Sequence, residues 1–263
     1  MTDITSIMSE IPRWVWMWLL AVGLFVLAKM TMLSRAGGLR GWRVWGYAMG
    51  WPGMETGEWM RSVRATDVCL PWYAGIGAMV MGATLIWGVA GWWEYPLAMG
   101  WTGMVGVVLM LHFGVFRMLA GFWQRCGVPV RPLMDAPVCS VTVAEFWGRR
   151  WNRAFRDLSQ VLMAKPLTRR YGASVALWGV FLISGLAHEL VISVPAGGGF
   201  GLPTIYFGLQ AMGIVMEKRF GLRGHVWAVG VIAIPAFFLF HPPFVERVIL
   251  PFLTALGALP CTH

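Results

Sequence analysis

The sequence predicts an all-α, polytopic integral membrane protein with about 6–8 transmembrane helices and one amphipathic helix lying at the membrane interface. Three observations predict it. Residues of the set AVILMFWYC make up 58% of the 263 residues, with 33 Gly besides, where a soluble domain reaches roughly 45–50% with Gly included. Charged residues are 13%, about half the usual quarter, too few to cover a soluble globule and too few for a disordered chain. Apolar runs of about 20 residues, the length that crosses a bilayer, recur along the chain.

The first run is Trp14 to Leu33, interrupted by Lys29. It reads as a retained span rather than a secretory signal, because Asp3 and Glu10 precede it with only Arg13, and no small-residue cleavage site follows. Gly41 to Met54, with Trp42, Trp45, Trp51 and Pro52, reads as interfacial or re-entrant, since Trp prefers the headgroup region and Pro and Gly interrupt helices. Further spans are expected at Pro71 to Ala90, Leu97 to Ala120 and Ala173 to Val194, a short one near Gly201 to Met216, and one at His225 to His241. Val248 to Leu259 is marginal, either a further span or an interfacial stub. With no internal repeat and no low-complexity linker, residues 1–263 read as a single transmembrane domain.

The net charge of +9 would suggest nucleic acid in a soluble protein, but here it sorts by loop. Arg35, Arg40, Arg43, Arg61 and Arg64 lie between the first two spans, nine Lys and Arg lie between Arg125 and Arg170, and Lys218, Arg219 and Arg223 form a third group. The alternate loops Gly91 to Pro96 and Pro195 to Leu202 hold none. The positive-inside rule then places the basic loops in the cytoplasm, facing anionic lipid, and the N-terminus outside. Nucleic acid is not expected as a partner. The four cysteines, Cys69, Cys126, Cys139 and Cys261, form no C-x-x-C pair, so neither a disulfide framework nor a metal site is expected.

Within the long basic loop, Thr142 followed by Glu145 makes a capping box, so a helix should start there and end at Pro166, about residues 143–165. Val143, Trp147, Trp151, Phe155, Leu158 and Leu162 form one apolar face with the arginines off it, the pattern of an interfacial anchor. Anchoring alone does not explain Asn152. The span at about 173–194 carries Ser184-Gly185-Leu186-Ala187-His188-Glu189. His188 falls 15 residues past Ala173, about 22 Å along the axis at 1.5 Å per residue, a depth where ionisable groups are costly and usually face a cavity or a partner. A desolvated imidazole is neutral and competent as a general base, and the alternative is a histidine that only packs. Glu189 adjoins it about 100° round the helix, so it does not face the ring. Ser184, four residues earlier, is either half of a Ser–His pair or a hydroxyl bonded to its own helix. His112 could line the same cavity; His225, His241 and His263 lie at boundaries or the terminus. The glycine run Gly197 to Gly201 has no Lys-Ser/Thr after it and is not a phosphate loop.

Glu145-Phe146-Trp147-Gly148-Arg149-Arg150-Trp151-Asn152, followed by Ser184 to Glu189, resembles the paired motifs of the membrane-bound O-acyltransferase superfamily (MBOAT), wax synthase branch. Trp51-Pro52-Gly53-Met54 and Val194 to Thr204 are similar to bacterial members. The resemblance covers about residues 40–220. It implies an MBOAT-like fold in an integral membrane protein of the bacterial inner membrane, and transfer of a fatty acyl group from acyl-CoA to a lipophilic alcohol, giving a wax ester. Diacylglycerol, sterol or polysaccharide acceptors are the alternatives within the superfamily, and a lipid transporter or scaffold the alternative outside it. Acyl-CoA is then a co-substrate, and no cofactor or metal is implied. By matching positions His188 is the catalytic base and Asn152 assists, orienting the ring or steadying the oxyanion. Phe146, Trp147, Arg149, Arg150, Trp151, Ser184 and Glu189 fall to substrate binding, and Arg149, Arg150 and Arg153 would meet coenzyme A phosphates. The chain is shorter than most members, so the tunnel wall is either incomplete or completed in a homo-oligomer.

Overall fold

The computed structural model describes residues 11–62 and 72–260, and every regular element among them is helical. Asp3, Glu10, Arg64, Cys69, Pro71, Cys261 and His263 lie outside the described residues. The helices are α1 (Arg13–Arg35), α2 (Trp42–Gly50), α3 (Trp72–Trp92), α4 (Pro96–Arg125), α5 (143–150), α6 (153–171), α7 (173–196), α8 (Leu202–Phe220), α9 (His225–Leu239) and α10 (Pro242–Ala255).

Among the described residues four helical stretches are long and apolar enough to cross a membrane: α1, α3, α4 and the run Arg153–Ala196. A fifth forms if α9 and α10, bent by 61°, make one broken span. The marginal Val248 to Leu259 stretch falls mostly in the second arm of the pair, which ends at Ala255. By that measure fewer stretches qualify than the about six to eight spans expected from sequence. One reason is α8, whose apolar stretch closes on Glu217, Lys218 and Arg219 and leaves it too polar to qualify. The run Arg153–Ala196 is not one straight rod. Gly172 at φ +86° turns the chain, and Leu167 on α6 lies against Gly179 on α7, so the two helices form a hairpin.

The expected helix over 143–165 is two helices. The capping box does start α5: the Glu145 N–H donates to Thr142 Oγ1 at 2.9 Å, and the Val141 N–H donates to the Glu145 carboxylate at 3.0 Å. The chain then leaves helical geometry at Trp151 and Asn152, the latter left-handed at φ +42°. Nor does Pro166 end the second piece, which continues to Tyr171. A π-helical segment at Gln160–Ala164 precedes that proline, and the same pairing recurs at Glu189–Ser193 before Pro195 and at Val245–Ile249 before Pro251. In each case the wide turn contains the carbonyl that the proline cannot bond and would otherwise strike, so the helix absorbs the proline instead of stopping.

Two buried clusters hold the bundle. One joins α1, α3, α4, α7, α8 and α10 through residues such as Met17, Ile86, Met104, Phe181, Phe207 and Leu253. The other surrounds α2, the extended segment after it and a short helical turn at Gly57–Met60, with Tyr47, Trp51, Met54 and Trp59 against Val128 and Val130. Residues 41–54, read from sequence as interfacial or re-entrant, differ among themselves in exposure. Trp42 and Trp45 are exposed, whereas Trp51 is buried in the protein. Lys29, the one charge inside α1, is buried too. Its ammonium donates to the Gly53 carbonyl and sits 3.6 Å from the centre of the Tyr47 ring, so a hydrogen bond and a cation–π contact stand in for water.

Candidate active site around His188

α7 and α8 make one of the most extensive helix contacts in the molecule because Gly185 lets them touch. A Cβ at that position would fall 2.8 Å from the Thr204 Cα. Side chains on a helix lean toward its N-terminus. On these antiparallel helices that lean brings the His188 and Phe207 rings together at the level of the Gly185–Thr204 contact, with centroids 4.6 Å apart. His188 Nδ1 lies 2.7 Å from the Ser184 carbonyl oxygen. A carbonyl only accepts, so the neutral ring carries its proton on Nδ1 and presents a lone pair on Nε2. A π-helical segment begins at the next residue, Glu189.

Beside the ring is a cleft of about 310 Å³ enclosed by α5, the α6–α7 hairpin and α8. Along α7 its wall runs from Ala173 to Ser184, 11 residues or about 16 Å. Thr168 and Lys218 stand toward the end near Ala173, Trp147, Phe181 and Phe207 line the other, and Arg156, paired with Asp157, also borders the wall. The wall includes Ser184 and Phe207, the two residues against the His188 ring, and stops short of the ring itself.

The motif residues stack into a ladder of rings that leads away from the histidine. Phe207 meets Trp147 at 5.6 Å, Trp147 meets Phe146 at 5.0 Å, Phe146 stacks on Trp151 at 5.4 Å, and Trp151 stacks on His112 at 6.0 Å. Trp147 donates its indole N–H to the buried Gln210 amide oxygen at 3.2 Å. The Glu217 carboxylate accepts from the Val143 and Ala144 N–H groups and from the Trp227 indole, which ties α8 to the start of α5.

Among the residues proposed from sequence, Ser184 and Trp147 line this cleft and His188 adjoins it through Ser184 and Phe207. Asn152 serves the backbone around it, since its Oδ1 accepts from the Phe155 N–H at 3.1 Å and caps α6. The partner of His188 Nδ1 is a backbone carbonyl of its own helix, not the Asn152 amide. Arg150 pairs with Glu145 at 2.8 Å and also reaches the Asp135 carbonyl, so it closes the loop before α5; Arg149 is exposed. The Val141 hydrogen bond first, then Arg150, hold the Glu145 carboxyl below its ordinary range. Glu189 accepts from Gly201 and Thr204. Sequence reasoning missed Arg156, Phe207, Gln210, Glu217 and Lys218. Gln210 carried a signal, being a lone amide within an apolar run.

Residues 130–207, which include both motifs and most of the cleft, match the family described as Membrane bound O-acyl transferase family. Over this segment the chain is similar to that family. Its O-acyltransferase likeness extends to named plant proteins. The chain is 28% identical over 136 residues, 43% of its length, to "Probable long-chain-alcohol O-fatty-acyltransferase 8" of Arabidopsis thaliana. It is 29% identical over 72 residues to "Long-chain-alcohol O-fatty-acyltransferase" of Simmondsia chinensis, and 29% identical over 69 residues to "Acyl-CoA--sterol O-acyltransferase 1" of Arabidopsis thaliana, each match covering 24% of the chain. The matched stretches span 39%, 20% and 20% of those relatives' own lengths. No solved structure matches the chain significantly.

Proposed function

We propose that the protein transfers a fatty acyl group from acyl-CoA to the hydroxyl of a long-chain alcohol, forming a wax ester, with His188 as general base. The observation that carries this reading is the cleft that reaches the His188 ring's two neighbours from an end marked by Lys218. An anionic coenzyme A head suits the cationic end, and the pantetheine arm lying along the wall toward Ser184 brings the thioester to the histidine. Nε2 takes the alcohol proton as the oxygen attacks the thioester carbonyl. The tetrahedral intermediate collapses, the C–S bond breaks, and the thiolate leaves with the proton from the imidazolium. General base catalysis of this kind contributes about 10²–10⁴-fold, and holding both substrates in one cleft adds the proximity contribution. The thioester is already activated, so the chemistry calls for no further cofactor. The names of the plant relatives support both the reaction and the acceptor class. Asn152 acts by shaping the turn between α5 and α6.

The test is purified protein with labelled palmitoyl-CoA and a panel of hexadecanol, diacylglycerol and a sterol. Wax ester is the expected product, and a different ester would change the acceptor. His188→Ala is expected to lose at least about 10²-fold in kcat while still inserting and folding; wild-type turnover in that variant would remove the histidine from the chemistry. Ala176→Leu adds bulk to a buried position on the cleft wall. It is expected to raise the KM for palmitoyl-CoA and for a short-chain acyl-CoA by similar factors, and an unchanged KM for both would place the coenzyme A arm elsewhere.

A further inference from the structure

We infer that Glu189 is a positioning residue, which fixes the register of α8 on α7 and thereby holds Phe207 against the His188 ring. The activity arm of its test rests on the transferase reading; the structural arm does not.

A helix start leaves N–H groups without intrahelical partners, costly wherever water is excluded. At α8 these groups are accounted for in full. Gly201, at φ +87°, is the capping position and has no side chain with which to cap. Leu202 N–H donates to the Gly199 carbonyl, and Pro203 has none to offer. The two that remain, Gly201 N–H and Thr204 N–H, donate to Glu189 Oε1 at 2.9 and 3.1 Å, and the Thr204 hydroxyl joins them at 3.0 Å. From Ile205, which donates to the Gly201 carbonyl, the helix supplies itself. The cap of α8 thus comes from the neighbouring helix, and it brings a negative charge to the positive end of the α8 dipole.

The placement gives this tie its reach. Glu189 is one turn beyond Gly185, where Thr204 touches α7. Three residues past Thr204 is Phe207, on the His188 ring; three more is Gln210, on the Trp147 indole; and Glu217 near the far end holds the start of α5. One carboxylate therefore anchors the helix that contacts the histidine and the aromatic motif alike. It also explains why an acid next to His188 in sequence need not touch its ring. Oε1 is occupied by the three α8 groups, and Oε2 is buried without a protein partner.

The experiment compares Glu189→Gln, which keeps an acceptor oxygen, with Glu189→Ala, which does not, in the full chain in nanodiscs. In Glu189→Ala, hydrogen exchange of the amides from Gly201 to Tyr206 is expected to speed up roughly tenfold, the scale of a lost cap. Ester formation should lose kcat by a similar factor with the KM for palmitoyl-CoA unchanged. Glu189→Gln should restore both. Two results would overturn the assignment: wild-type exchange in Glu189→Ala, or activity lost equally in both variants with exchange unchanged, which would make Glu189 a substrate group. If Glu189→Ala does not fold, Glu189→Gln decides, since loss of activity at wild-type exchange again overturns it. If the protein makes no ester at all, the exchange arm still reports on the tie.

Discussion

Asn152 illustrates how a single residue can carry two explanations that one substitution separates. Its backbone is left-handed at φ +42°, a region that costs most L residues about 1–2 kcal/mol, and its side chain caps α6. Asn152→Ala loses both features and is expected to destabilise by about 1–3 kcal/mol, whereas Asn152→Gly keeps the backbone conformation and costs a few tenths for the cap. Activity should follow stability, largely kept in the Gly variant and depressed in the Ala variant. Thermal unfolding and turnover on the same preparations check this. A Gly variant that folds fully and is as inactive as the Ala variant would return the amide to the chemistry. His188 stands at the same scale: hydrogen-bonding its Nδ1 to a carbonyl of its own helix settles the tautomer without a second residue.

Among the elements, α3 and α4 owe their contact to glycine. A Cβ on Gly82 would meet the Gly106 carbonyl oxygen at 2.5 Å, and one on Gly106 would meet the Gly82 carbonyl oxygen at 2.7 Å. Backbone on both sides has little room to yield, so Gly106→Ala and Gly82→Ala are each expected to cost about 1–3 kcal/mol. Gly121→Ala, where a Cβ meets nothing, should stay within about 0.5 kcal/mol; thermal unfolding in detergent separates the two groups. The long apolar helices and the capping box at Thr142 were legible in the sequence because length, apolarity and local spacing report them directly. The turn at Gly172 was not, since a glycine between two helical runs reads equally as a flexible joint or as a reversal, and only the Leu167–Gly179 contact decides. The continuation through Pro166 was hidden for a different reason. A wide turn leaves no mark in a pattern built on 3.6 residues per turn. His188 and its motif stood out as polar groups in apolar surroundings, whereas Phe207 was one aromatic among many and became visible only through its neighbour.

For the molecule as a whole, orientation follows from charge. The exposed Cys126 and Cys139 lie in the longest basic loop, which we propose faces the cytoplasm. In a Cys69→Ser, Cys261→Ser background, a membrane-impermeant maleimide is expected to label them only after the cells are permeabilised; labelling of intact cells would invert the topology. Every residue lining the cleft falls between Ala144 and Lys218, while the rest of the chain packs around that stretch. The cleft is thus walled by one contiguous stretch of chain. Because α7 and α8 also share a buried core with α1, α3, α4 and α10, bulky substitutions in those flanking helices are expected to reach the cleft through the shared packing.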